Sequence, residues 1–119
     1  MSVMKNFVEV LALYRKHGWR LERVMMSAAT RDALRQSVEG GGGETFEGVA
    51  VRDSDFDAMW FKRAAQEGRE AWELRLVGEP PFALFELFEA DEAEEDREDV
   101  RREMEARLQE RVSPGGGGD

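Results

Sequence analysis

Residues 82–89, Phe-Ala-Leu-Phe-Glu-Leu-Phe-Glu, constrain the fold more than any other stretch. Side chains alternate across a strand, so Phe82, Leu84 and Phe88 share one face while Ala83, Phe85 and Leu87 share the other. A strand that is apolar on both faces is expected to be covered on both. The segment 55–62 repeats the pattern, with Phe56, Ala58 and Trp60 opposite Met59 and Phe61. One layer of helices shelters one face of a sheet. The second face then needs the C-terminal helix or another subunit.

Between these two segments, residues 71–77 alternate in the half-buried manner. Trp72, Leu74 and Leu76 point one way, Glu73 and Arg75 the other. Gln66-Glu-Gly-Arg and Gly78-Glu-Pro-Pro are short and rich in turn formers, so the three strands are expected to form an antiparallel meander. The segment 48–53 is a candidate short edge strand. Upstream, Phe7, Val8, Val10, Leu11 and Tyr14 recur at helical spacing and predict a helix over 4–16, stopped by Gly18. A strand is expected over 19–26, with Trp19, Leu21 and Met25 on one face. Ser27 then caps a short helix over 28–36 that is apolar at Ala29, Ala33 and Leu34.

Residues 90–112 predict a long charged helix with an apolar seam at Val100, Met104, Leu108 and Val112. Glu98 with Arg102, and Glu103 with Arg107, are spaced as i,i+4 ion pairs. The glycine run 40–43 marks a flexible loop over 37–48, and 113–119 a disordered tail. The expectation is one α+β domain over 1–112. Its elements follow the order α-β-α-β-β-β-α, with an antiparallel sheet of about four strands and helices mainly on one face.

Charge and composition narrow the function. Residues 1–62 hold nine basic and nine acidic residues; residues 63–119 hold eight arginines and seventeen acids, so the whole net charge of −9 lies in the second half. An acidic end repels phosphate backbones, and no basic stripe is present, so nucleic acid is not an expected partner. No apolar run reaches the length of a membrane span, and the N-terminus, broken by Glu9, does not resemble a signal peptide. The absence of cysteine fits a reducing, cytoplasmic setting and excludes disulfides and thiolate metal sites.

Few residues suggest chemistry. Asp53, Asp55 and Asp57 stand at every second position and could present three carboxylates on one strand face, as a divalent cation requires. A calcium loop would need Gly and Glu where Ala58 and Ala64 stand, which favours a solvated strand face or turn. Gly40–Gly43 lacks the Lys-Ser/Thr of a phosphate loop, and His17, the single histidine, suits a helix C-terminus. Glu73, Arg75 and Glu86 beside Trp60 and Trp72 form the best candidate ligand pocket, with ordinary cross-strand ion pairs as the plainer reading. No cofactor is expected. The double-sided strands instead suggest contact with protein. Phe85, Leu87, Val100, Met104 and Leu108 are the candidate interaction surface, and the partner is a second copy or another protein. The favoured function is therefore a non-enzymatic interaction module, and the runner-up a small-molecule site or minor enzyme on the meander.

Overall fold

The structure, a computed structural model, describes residues 3–35, 46, 48–78 and 81–112; the predicted glycine loop tip and the tail lie outside them. The elements are α1 (Val3–Lys16), β1 (Arg20–Met26), α2 (Ala28–Arg35), β2 (Ala50–Asp53), β3 (Ala58–Ala64), β4 (Glu70–Leu76), β5 (Phe82–Phe88) and α3 (Glu94–Val112). The class is α+β, as expected. The sheet has five strands in the order β2-β1-β3-β4-β5. It is mixed rather than purely antiparallel: β1 and β2 run parallel, joined by a crossover that contains α2, and every other pair is antiparallel.

Helices cover both faces, which corrects the expectation of one. Phe7, Val10, Leu11 and Tyr14 of α1 pack with Leu21, Val24, Met26, Met59 and Phe61. On the opposite face Met104 and Leu108 of α3 pack with Met25, Ala58, Trp60, Trp72, Leu74 and Phe88. The central strand β3 is therefore buried on both sides from Ala58 through Phe61.

The faces of β1 differ from simple alternation. Leu21 pairs with Phe61 and Arg23 with Trp60, so Glu22 is an extra residue without a partner in β3. Such a bulge reverses the alternation beyond it. Leu21 consequently joins Val24 and Met26 on the α1 face, while Met25 and Arg23 face α3.

Local signals at the element ends hold. Gly18 takes φ 87°, and the Trp19 amide returns to the Tyr14 carbonyl at 3.0 Å, a left-handed helix stop. The Ser27 hydroxyl caps α2 by accepting from the Thr30 amide at 3.3 Å. Among the described side chains of α2 the buried one is Thr30, while Ala29 and Ala33 are exposed; that of Leu34 lies outside them.

Candidate interaction surface

The helix cover on the α1 face stops short of β5. Tyr14 stacks on Phe61 with ring centroids 4.1 Å apart, and its hydroxyl donates to the Glu73 carboxylate on the next strand. The Arg75 guanidinium lies 5.8 Å from the Tyr14 ring. Burial, and then the bond to anionic Glu73, push the phenol up to about 12 against the opposing pull of Arg75. This trio marks the border of the cover.

Beyond it the sheet is open. Phe85 is 56% exposed and Leu87 39%, on the same face as Glu73 and next to it through the Glu73–Phe85 pairing. Trp19, at the end of α1, meets Phe85 edge-on at 6.4 Å, and the Arg63 guanidinium sits 5.4 Å from the Trp19 ring. Arg63 also donates to the His17 carbonyl at 3.0 Å, which ties the α1 terminus to β3. Of the two covers expected for the second face of β5, the C-terminal helix does not supply it: within the chain the cover reaches the α3 face only.

The α3 face is closed by a polar network that the sequence pattern does not announce. Arg101 is 2% exposed, its guanidinium 4.1 Å from the Trp72 ring, and it pairs with Glu94 and Glu98. Glu98 also takes Arg23 at 3.0 Å. Burial works against charge at Glu98, but the bonds from Arg23 and Arg101 outweigh it and hold its pKa below the usual carboxylate value. Glu94 is lowered chiefly by its bond from Arg101. Burial likewise opposes the charge on Arg101, and the two glutamates more than offset it. A second knot centres on Glu70, which accepts from the Trp72 indole at 3.1 Å and pairs with Arg97 at 2.9 Å and Lys62 at 3.6 Å. The Trp72 bond contributes most to depressing the Glu70 pKa.

These placements separate the predicted site residues. Trp60 and Trp72 lie beneath α3, in edge-on contact at 5.8 Å, and the Trp60 indole donates to Glu105 at 2.8 Å. Glu73 and Arg75 occupy the other face of β4, so these four cannot line one pocket. Glu86 pairs in register with Trp72 on the α3 face. The three aspartates also diverge, because β2 ends at Asp53 and β3 begins at Ala58. Asp53 pairs with Arg31 at 2.7 Å, and Asp57 accepts from the Ser27 amide at 2.9 Å and the Thr30 hydroxyl at 2.7 Å. Asp55 is exposed at the rim of a groove of about 630 Å³ between α3 and the β2–β3 loop.

Of the predicted interaction residues, Phe85 and Leu87 are open. Met104 and Leu108 are buried in the chain's own core and Val100 is packed at its margin, which corrects their assignment to a contact surface. Steps of four overshoot the 3.6-residue turn, so the Val100–Val112 seam drifts round the helix, and the buried stripe keeps Met104 and Leu108 but takes Arg101 in place of the seam's two ends. Glu98 accordingly turns inward, and Arg102 pairs with Asp99.

Among the described residues no helix is long and apolar enough to cross a membrane. Comparison with protein families, with curated proteins and with solved structures finds no match for this chain.

Proposed function

We propose that this chain is a non-enzymatic protein-interaction module that binds its partner on the open β4–β5 half of the sheet. One observation carries the reading: Phe85 and Leu87 stand 56% and 39% exposed, side by side, on a face that α1 covers elsewhere. Contiguous apolar surface rimmed by polar groups is typical of protein contact sites. Here Arg63, Glu73 and Arg75 supply the rim and Trp19 an aromatic anchor. The net charge of −9 keeps the free protein soluble while that patch is open, and the lack of cysteine suits a cytoplasmic setting.

The test is site-specific photo-crosslinking in cells. A photoreactive residue at Leu87 is expected to trap a defined protein adduct that Phe85→Lys removes, while the same residue at exposed Arg102 traps none. Equal yields at the two positions would refute the assignment.

A further inference from the structure

We propose that β5 pairs antiparallel with β5 of a second copy of this chain, about a two-fold axis beside Phe85. This inference rests on the interaction-surface reading above and names the partner, a second copy that meets the open half of the sheet along its β5 edge.

The two sheet edges differ in their defences. β2 is four residues long and carries Arg52 and Asp53, with Arg52 tied to Glu105 at 2.6 Å. β5 is seven residues long, with no lysine, no proline and a single charge, Glu86. Short edges and edge charges are what normally prevent strand addition. β5 is long and carries only that one charge, and among the described residues its outer edge presents a row of backbone donors and acceptors with no strand beside it.

A two-fold axis at Phe85 gives a self-complementary register. Phe85 faces the partner's Phe85, small Ala83 faces the partner's large Leu87, and Glu86 falls opposite the partner's Leu84. No like charges meet along the seam. The alternative, with two open faces packed against each other, is obstructed. α1 stands on that face with Lys5, Glu9 and Lys16 exposed on its outer side, and a copy packed face-on would press these charges against apolar strands.

Charge along α3 favours the same arrangement. α3 runs antiparallel to β5, with Arg97 over Phe88 at one end (5.7 Å) and Arg111 over Phe82 at the other (4.6 Å). The dyad places Phe82 opposite the partner's Phe88. Arg111 then comes beside the carboxylates that lead into and begin the partner's α3, from Glu89 to Asp96 of the partner subunit. Arg107 and Arg111 make no ion pair among the described residues of their own molecule, so they are available for this one.

The absence of cysteine allows a direct test of register. Opposed residues of an antiparallel pair have Cα atoms about 4.5–5.5 Å apart, within disulfide range. Phe85→Cys is expected to oxidise to a covalent dimer by itself. Ala83→Cys and Leu87→Cys are expected to cross-link only when mixed with each other. Sedimentation equilibrium should give twice the 13.6 kDa chain mass for the unmodified protein, and Phe85→Lys should weaken association at least about tenfold. Cross-linking of Ala83→Cys alone as readily as Phe85→Cys would overturn the register. A strict monomer up to about 1 mM, the range of the weakest specific contacts, would overturn the pairing. If that monomer still yields the Leu87 photo-adduct with a different protein, the interaction-surface reading stands without self-pairing; if it yields none, both fall.

Discussion

Arg101 permits a quantitative test of how α3 is held. Its guanidinium is almost fully buried against Trp72, yet both of its carboxylate partners have other recourse: Glu94 is 72% exposed, and Glu98 keeps Arg23. The pair with Glu94 is therefore screened and contributes about 0–1 kcal/mol. The stack on Trp72 at 4.1 Å contributes about 2 kcal/mol in a desolvated site. Against these stands the cost of removing a guanidinium from water, several kcal/mol after relaxation. The Arg101 Nε–H also has no hydrogen-bond acceptor among the described residues, which adds to that cost.

Two substitutions separate packing from charge. Arg101→Ala empties the space over Trp72 and is expected to cost about 3 kcal/mol, in the range for truncating a buried charged pair. Arg101→Met refills most of that space, leaves no carboxylate buried without a partner, and is expected to lie within about 1 kcal/mol of the parent protein. Urea unfolding followed by fluorescence of Trp60 and Trp72, both under α3, measures the two differences. If the methionine variant loses as much as the alanine variant, the ion pairs outweigh their burial cost and the reasoning is wrong.

Two further outcomes follow from the depressed and raised ionisations. Glu70, Glu94 and Glu98 all titrate below their ordinary value of 4.5 in the folded chain. Their contribution to stability is complete above 4.5 and is lost as pH falls through the lower folded values, so urea midpoints should drop below that pH, and less so in Arg101→Met. Tyr14 is the single tyrosine, and its pKa is raised from 10.0 to about 12. Ultraviolet absorbance should therefore show one phenol titrating late in native protein and near 10 in urea, and stability should fall as pH rises from 10 towards 12 unless Tyr14 is replaced by Phe.

Much of the architecture is legible from local chemistry. Gly18, Ser27 and the alternation through Trp72–Leu76 act within a few residues, and each corresponding boundary lies where the pattern places it or within about three residues. What was not legible depends on distant partners. The parallel seating of β2 beside β1 follows from the α2 crossover, which strand spacing alone does not determine. The bulge at Glu22 carries no glycine or other local mark, yet it sends Leu21 and Met25 to opposite faces. Arg101 looks like one more charged residue of a solvated helix until Trp72 and Glu98 are in place around it.

The same limit explains β5. A strand apolar on both faces has two settings: a central strand between two layers, or an edge strand whose second face its own chain leaves open. The residues are the same in both cases. β3 takes the first role because α1 and α3 both lie over it. β5 is the edge strand, and its second face is open because α1 is only one helix wide and the Tyr14–Glu73–Arg75 border places charged groups where the cover ends. Extending α1's shelter to Phe85 would require burying Glu73 and Arg75 beneath it, and each buried charge costs several kcal/mol unless its partner and hydrogen bonds are complete. Leaving Phe85 and Leu87 exposed costs less, about 1.5–3 kcal/mol for each side chain not buried. That difference favours the open arrangement in the isolated chain.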